Sequence, residues 1–231
     1  MILGRDFTLQ VGNSYAVWDQ NGNIAALEGC IAARDINSAG TIVGTTRVSN
    51  KSYAAVWDTT GTITRIIAPG ASVAINDSGQ ILLALHDSEQ QKYSYVIQNP
   101  DGTSQEIKDI PGYSNSLPHV INNNGRVAGL VTDANNTKHV AVWDSQGNGR
   151  LLPDPSDKQT DFVYTINDTG SVLGLATDGQ RFYPVLWDAS GTPAFIPTLD
   201  DAARDINNIG WIVGCSYLSG IGQPTIWDEN G

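Results

Sequence analysis

Long apolar runs, helical periodicity and positive charge are all scarce in this sequence. No apolar run approaches the roughly 20 residues that a membrane-spanning helix needs. No window keeps a 3.6-residue apolar period without an interrupting Gly or Asn. Lys and Arg number 13 against 24 Asp and Glu, which gives a formal net charge of −11. Because nucleic acids and anionic membranes bind basic faces, the sequence predicts neither nucleic-acid binding nor membrane insertion.

Cysteine and recognisable catalytic motifs are equally scarce. The two cysteines, Cys30 and Cys215, do not make a disulfide framework. The three histidines form no zinc-binding motif, and the sequence has neither a Gly-x-Ser-x-Gly elbow nor a phosphate-binding glycine loop. We therefore expect no cofactor. The N-terminus lacks a basic segment followed by an apolar one, so no signal peptide is visible, and either the protein stays in the cytoplasm or an export signal has been removed.

What the sequence does contain is a repeat. An Ile-Asn pair recurs at residues 36, 75, 121, 166 and 206, and a Gly follows three residues after each Asn. A second motif, Trp-Asp-x-x-Gly, occurs at residues 57, 143, 187 and 227, with an extra copy at 18 and a degenerate one near 97. Each complete repeat of about forty residues contains four short runs rich in Val, Ile, Thr, Tyr and Trp, separated by turn residues. Four strands per repeat of this length are typical of a β-propeller blade.

The recurring residues have a structural explanation. We expect Asn37 to fold its side chain onto backbone donors, and Gly40 to adopt the positive φ that closes a tight hairpin. In the second motif we expect Trp57 to pack in the core and Asp58 to start the turn. The equivalent turn and packing residues elsewhere are Asn122, Gly125, Trp143, Asp144, Asn167, Gly170, Trp187, Asp188, Asn207, Gly210 and Trp227.

The pattern A-x-x-I-N-x-x-G-x-I/V-x-G followed by A-x-x-W-D-x-x-G resembles the HAF repeats of bacterial proteins, and the resemblance covers nearly the whole chain. The His-Ala-Phe triplet of that family is only approximated, as in "SYAAVWD" at 52 and "KHVAVWD" at 138. The resemblance implies a propeller-like fold in a secreted or surface-exposed bacterial protein. It carries no defined activity and no catalytic residues.

We therefore predict an all-β fold, a single β-propeller domain over residues 1–231. The repeats cover 1–32 (partial), 33–71, 72–117, 118–162, 163–202 and 203–231 (partial). Counting 22 strand signals favours a six-bladed ring with one blade incomplete or assembled from both termini; a five-bladed ring and a truncated chain are alternatives. Cys30 and Cys215 would be neighbours in a closed ring, so they form either a disulfide or two buried free thiols.

Candidate binding residues lie toward the face formed by the loops that vary between repeats. Two residues before each Ile of the Ile-Asn pair, on the predicted innermost strand, stand Arg34, Val73, His119, Tyr164 and Arg204. We expect their side chains to line the mouth of the propeller channel, where they would suit a polar or anionic ligand. The alternative is that the two arginines pair with nearby carboxylates. The exposed aromatic candidates are Tyr113, Phe182, Tyr183 and Tyr217, which could instead pack between blades.

These residues predict a non-enzymatic module that binds a protein or a glycan through its variable face. A glycan-active hydrolase with two carboxylates at the channel mouth and a purely structural spacer are the alternatives. The loop residues Asp157, Asp161, Asp200 and Asp201 are weak candidates for calcium binding. The family resemblance implies a location outside the cell or on its surface.

Overall fold

The fold consists of β-strands joined by short turns. The computed structural model describes residues 1–6, 14–156, 158–196, 202–218 and 221–228, and every regular element in these ranges is a strand. No helix long and apolar enough to cross a membrane occurs among them. The chain divides into two compact units, residues 1–107 and 108–231.

The first unit contains ten strands in two antiparallel sheets. A three-stranded sheet has the order β1-β2-β3, and a seven-stranded sheet has the order β10-β9-β8-β7-β6-β5-β4. The strands are β1 (Ile2–Asp6), β2 (Ser14–Trp18), β3 (Ile24–Ala26), β4 (Cys30–Ile36), β5 (Ile42–Val48), β6 (Lys51–Trp57), β7 (Ile63–Ile75), β8 (Ile81–Asp87), β9 (Lys92–Gln98) and β10 (Ser104–Glu106).

The seven-stranded sheet corresponds to two of the predicted repeats, joined by one long strand. Strand β7 runs for 13 residues and pairs with β6 through its first part and with β8 through its second. Gly70, at the point where the pairing changes, has a φ of +132°. The fourth strand of one repeat is thus continuous with the first strand of the next, so the predicted boundary at residue 71 falls inside a strand.

The second unit contains eleven strands in three sheets, each with its strands in chain order. Two four-stranded sheets are followed by a three-stranded one. The strands are β11 (Ser114–Ile121), β12 (Val127–Thr132), β13 (Lys138–Trp143), β14 (Gly149–Leu151), β15 (Gln159–Ile166), β16 (Val172–Thr177), β17 (Phe182–Trp187), β18 (Pro193–Phe195), β19 (Ala202–Ile206), β20 (Ile212–Leu218) and β21 (Ile221–Trp227).

The predicted turn chemistry is confirmed. In the β11–β12 hairpin, the Asn122 side-chain oxygen accepts hydrogen bonds from the amides of Asn124 and Arg126, at 3.1 and 2.9 Å. Gly125, which closes this turn, has a φ of +71°. The positive φ recurs at the equivalent glycines Gly40, Gly79, Gly170 and Gly210. In the second motif, the Asp144 carboxylate accepts hydrogen bonds from the backbone amides of Gln146 and Asn148. The hydrogen bond from the Asn148 side chain is the largest cause that lowers the pKa of Asp144, and the backbone hydrogen bonds lower it further.

Three tryptophans of the second motif pack in the interior, as predicted. Trp57, Trp143 and Trp187 are fully buried, and Trp227 packs partly buried against the cluster that contains Leu173 and Ile212. The buried indoles also donate hydrogen bonds: the N–H of Trp143 donates to the carbonyl of Lys108 at 3.0 Å, and that of Trp187 to the carbonyl of Pro153 at 2.8 Å. Each of these hydrogen bonds connects the third strand of a repeat to the segment that follows the fourth strand of the repeat before it in the sequence.

Both cysteines are half-buried free thiols. The disulfide that was one of the two expectations for Cys30 and Cys215 is therefore absent from this structure. Burial is the main cause that raises the pKa of the Cys30 thiol to about 11, so this sulfur is protonated and weakly nucleophilic at neutral pH.

Candidate binding site

The five equivalent inner-strand positions share one backbone feature: each is the extra residue of a β-bulge. The register between the first and second strand of every repeat shifts at this point, and the shift brackets one residue in each case. The bracketed residues are Arg34, Val73, His119, Tyr164 and Arg204. A bulge leaves its extra residue unpaired and turns its side chain away from the regular alternation of the strand. The five positions that the repeat alignment identified are therefore bulge residues, whose side chains depart from the alternating directions of the strand.

A glycine on the second strand makes room for the bulge. Gly129 pairs with Pro118, the residue before the bulged His119. A Cβ atom at Gly129 would lie 2.3 Å from the carbonyl oxygen of Leu117 and 2.6 Å from the Cα atom of Pro118. A Cβ atom added at Gly44 or Gly174 would likewise lie 2.2 Å from the carbonyl oxygen of Ala32 or 2.6 Å from that of Phe162. The second glycine of the repeat pattern thus fits this close approach in three of the sheets, whereas the strand opposite the Val73 bulge has Leu83 at the equivalent position.

In the second unit, the bulge residues form a continuous row of contacts. The ring centroids of His119 and Phe162 lie 5.1 Å apart, and those of Phe162 and Tyr164 lie 5.2 Å apart, both edge to face. An N–H of Arg204 donates a hydrogen bond of 2.9 Å to the Tyr164 hydroxyl, and the guanidinium carbon lies 5.2 Å from the ring centroid. We call His119, Phe162, Tyr164 and Arg204 the bulge row. It combines residues of three successive inner strands, β11, β15 and β19.

The bulge row is half-accessible to solvent and polar at both ends. Phe162 is 39% exposed and Arg204 is exposed, whereas His119 and Tyr164 are half-buried. Burial is the main cause that lowers the pKa of His119, and the buried Nδ1 atom of this histidine has no hydrogen-bond partner. An exposed arginine beside stacked aromatic rings is a combination enriched in protein-binding surfaces.

The alternative expectation, that the two arginines pair with nearby carboxylates such as Asp35, Asp205, Asp200 and Asp201, can be compared with the structure only for Asp35 and Asp205, because Asp200 and Asp201 lie outside the described residues. Within the described ranges, neither Arg34 nor Arg204 lies within salt-bridge distance of a carboxylate. The Asp35 carboxylate instead accepts hydrogen bonds from the amides of Ile36 and Ile75, at 2.8 and 2.9 Å. This aspartate therefore connects two repeats. Arg34 is exposed and lines a cavity of the first unit.

The aromatic candidates have different surroundings. The Tyr183 hydroxyl donates a 2.6 Å hydrogen bond to Asp178, and the Lys158 ammonium lies 4.1 Å above the Tyr183 ring. Phe195 contacts the same ring edge to face, with the ring centroids 5.9 Å apart. The hydroxyl is the largest cause that lowers the pKa of Asp178 to about 2. Phe182 is 58% exposed. The backbone of Tyr217 lies in β20, and its side chain falls outside the described part of the structure.

Tyr113 belongs to a polar cluster that the sequence analysis did not find. Its ring lies edge-on to His139 at 5.5 Å. The Nδ1 atom of His139 is 2.8 Å from a carboxylate oxygen of Asp154, and its Nε2 atom is 3.6 Å from one of Asp133. The four residues are separated by up to 41 positions, and no local motif signals their proximity. Only the pairing of β12 with β13 and the return of the chain after β14 bring them together.

The calcium candidates remain predictions. Asp157, Asp200 and Asp201 lie outside the described residues, and the carboxylate of Asp161 is 3.1 Å from the Lys138 ammonium, which already supplies a cation. Among the residues that are described, no group of three His, Cys, Asp or Glu side chains is arranged to hold a metal ion.

Comparison with solved structures shows the fold. The chain is similar to TolB from Acinetobacter baumannii, with a TM-score of 0.66 and 12% sequence identity over 99% of this chain and 60% of that one. It is also similar to the β-propeller domain of the Trilobed protease from Pyrococcus furiosus, with a TM-score of 0.56 and 11% identity over 98% of this chain and 90% of that domain. Prolyl oligopeptidase B from Galerina marginata gives a TM-score of 0.60, but the similarity covers 38% of its length.

These similarities identify the chain as a β-propeller fold, as the repeats predict. The chain spans about three fifths of the length of the TolB structure. No family model and no curated protein sequence matches it. At 11 to 12% identity, the similarity extends to the fold and not to the site residues. The number of blades, the closure of the ring and the HAF-repeat assignment stay predictions.

Proposed function

We propose that this β-propeller is a non-enzymatic recognition module that binds a polypeptide partner through its variable face, with the bulge row as part of the contact surface. The observation that carries the proposal is the convergence of Phe162, Tyr164 and Arg204 from β15 and β19 into one half-exposed row of contacts. Aromatic rings supply large contact area with few rotatable bonds, and arginine supplies several hydrogen-bond donors on a planar group, which is why both are enriched among the residues that dominate the energy of protein interfaces.

The two ends of the sheets differ in their hydrogen bonding and in how much their loops vary, and this difference supports the same proposal. At the end that bears the Ile-Asn turns, side chains bond from repeat to repeat: Asn123 and Asn208 both donate to the Asp168 carboxylate. Such groups are already satisfied, so this end offers few free donors. At the opposite end, the loops differ between repeats and carry exposed aromatic and charged side chains, which suits recognition.

The alternative of a glycan-active hydrolase requires two carboxylates about 5–10 Å apart in a pocket. No carboxylate lines the cavity beside Arg34 among the described residues. A second cavity, of about 370 Å³ at the turn end of the second unit, is lined by Asp144, whose carboxylate is engaged by its own turn. These surroundings favour recognition over hydrolysis. The resemblance to HAF repeats supports an extracellular or cell-surface location.

The proposal is tested by selecting a displayed peptide library on the purified protein and measuring the affinity of selected peptides by calorimetry. We expect Phe162→Ala and Arg204→Gln each to weaken binding about tenfold or more, since interface arginines and aromatics commonly contribute over 1.4 kcal/mol. Arg126→Gln, which changes the charge equally at the turn end of the same unit, should leave the affinity within about twofold.

Two outcomes contradict the proposal. One is a selection that yields no specific peptide; the other is a set of peptides whose affinity does not respond to Phe162→Ala or Arg204→Gln. A glycan array, probed in parallel with and without calcium, covers the remaining class of ligand: sugar binding lost on the same substitutions would replace the polypeptide with a glycan.

A further inference from the structure

A cavity of about 600 Å³ lies in the first unit, on the variable side of two adjacent repeats. Its walls come from the inner strands β4 and β7 and from the loop-proximal ends of β6, β8 and β9. Arg34, the bulge residue of β4, stands at its wall. The volume falls within the range of pockets that bind small molecules, about 300–1,000 Å³.

The charge of this cavity is opposite to that of the protein. Arg34, Lys51 and His86 all line it, and none of its described lining residues is a carboxylate. The chain as a whole has 24 acidic and 13 basic residues. A lining with two permanent cations and no carboxylate is therefore more positively charged than the composition of the chain would give on average. The next acidic residue along β8, Asp87, uses its carboxylate to accept hydrogen bonds from the amides of Glu89 and Gln90, at 2.8 and 3.1 Å.

Among the described residues, the two permanent cations have no counterion. In the part of the chain that the structure describes, the side chains of Arg34 and Lys51 form neither a hydrogen bond nor an ion pair. Ser52, Ser88 and Tyr53 also line the cavity, and their hydroxyl groups are neutral hydrogen-bond donors. Guanidinium, ammonium and hydroxyl groups together are the donor set that binds an oxyanion, with arginine able to form two parallel hydrogen bonds to it.

The remaining wall is apolar and aromatic. Ile31, Pro69 and the ring of Tyr93 line the cavity beside the cationic groups, and Tyr93 contacts His86 with ring centroids 5.0 Å apart. A free inorganic ion would leave this apolar wall unused. A ligand with an apolar body and one anionic end matches both parts of the lining.

We propose that this cavity binds a small organic anion, through a carboxylate or phosphate head held by Arg34 and Lys51 and an apolar body against Ile31, Pro69 and Tyr93. The site goes beyond the recognition function proposed above. It lies in the other unit and shares no residue with the bulge row, so either proposal can fail without the other.

Benzoate and phenyl phosphate test the proposal, because they combine an aromatic body with each of the two anionic heads; benzamide is the neutral control. Binding is followed by amide chemical shifts in the uniformly ¹⁵N-labelled protein, with Gly70 and Ala71 as reporters in the cavity wall. We expect saturable shifts at these amides with at least one of the two anions and none with benzamide. The better-bound anion identifies the head group.

Substitutions locate the binding. Arg34→Gln should weaken the affinity for the bound anion about tenfold or more, since hydrogen bonds to charged groups carry that much discrimination, and Lys51→Gln should weaken it several-fold. Arg65→Gln removes the same charge from an exposed position of β7 that does not line the cavity, and it should leave the affinity unchanged. Unchanged amide spectra of the free variants verify the fold. The proposal is overturned if neither anion shifts the reporters, or if Arg65→Gln weakens binding as much as Arg34→Gln.

Discussion

The side-chain amide of Asn122 donates a hydrogen bond of 2.8 Å to the main-chain carbonyl of Asn167, the equivalent residue 45 positions further on. The same asparagine accepts from the amide of Arg126 with its side-chain oxygen, so one buried side chain both closes its own turn and connects it to the next repeat. Asn37 and Asn167 repeat the arrangement toward Asn76 and Asn207. The recurrence of this residue in the sequence is thus a consequence of contacts between repeats as well as within them.

Replacing Asn122 separates these two roles. Asn122→Asp retains the oxygen that closes the turn but loses the donor to Asn167 and buries a charge beside a carbonyl oxygen. We expect the free energy of unfolding of this variant, measured by urea titration at pH 7, to fall by about 1–3 kcal/mol. Asn135→Ala, in an exposed turn where the side chain forms no hydrogen bond, is the control and should change it by less than about 0.5 kcal/mol. Equal stability of Asn122→Asp and the wild type would show that the bond between repeats contributes nothing.

Gly129 provides a test of the bulge geometry. A Cβ atom there would overlap the carbonyl of Leu117 although the backbone is in an ordinary conformation, so we expect Gly129→Ala to lower the free energy of unfolding by about 2 kcal/mol or more. Gly179→Ala is the matched control, because Gly179 has a φ of +87° but open space around it. It should cost about 1 kcal/mol, the backbone contribution alone. A larger loss at Gly179 than at Gly129 would contradict the steric explanation.

The Tyr183 hydroxyl should control the acidity of Asp178. Because it is the largest cause that lowers the pKa of this carboxyl to about 2, Tyr183→Phe should raise that pKa toward the ordinary value near 3.9. A carboxyl with a lowered folded-state pKa stabilises the fold above its unfolded-state pKa, and this stabilisation is lost as the pH falls toward 2. The measurement is a carboxyl ¹³C titration from pH 1.5 to 6, with Tyr113→Phe as the control. An unchanged Asp178 midpoint in Tyr183→Phe would assign the shift to the backbone amides of Arg181 and Gln180 instead.

The cysteines should titrate as two free thiols. We expect two reactive groups per chain when the protein is unfolded without reductant and treated with Ellman's reagent. In the folded Cys215→Ser variant, Cys30 should alkylate at pH 8 at least tenfold more slowly than free cysteine, since its pKa of about 11 leaves little thiolate. Detection of no thiol in the unfolded, unreduced protein would show that the bridge forms in solution.

Much of the fold could be predicted from the sequence because its determinants are local. A few adjacent residues specify a four-residue Asx turn that ends in a glycine. The same holds for a tryptophan at the end of an apolar strand. The positions and pairing of the strands followed from these signals. The continuity of β7 did not, because Pro69 and Gly70 are ordinarily turn residues and only the pairing of both flanks, to β6 and to β8, keeps this segment extended.

The candidate site was predicted in part. The sequence located Arg34, His119, Tyr164 and Arg204 as equivalent positions, because the repeats can be aligned on their Ile-Asn pairs. It did not reveal that each is the extra residue of a bulge, nor that Phe162 joins the row, since a bulge is defined by the partner strand. The contact of His139 with Asp133 and Asp154 could not be predicted either, because it joins strand β13 to the segments that follow β12 and β14.

The sequence by itself determined the repeat, the four-stranded unit and the residues that close its turns, since these depend on interactions within about ten positions of the chain. Only the tertiary structure decided which side chains face solvent, which carboxylates are already bound by amides, and which cations have no counterion. Those properties depend on the strands that lie beside each residue, and in this chain they bring together positions 15 to 45 residues apart.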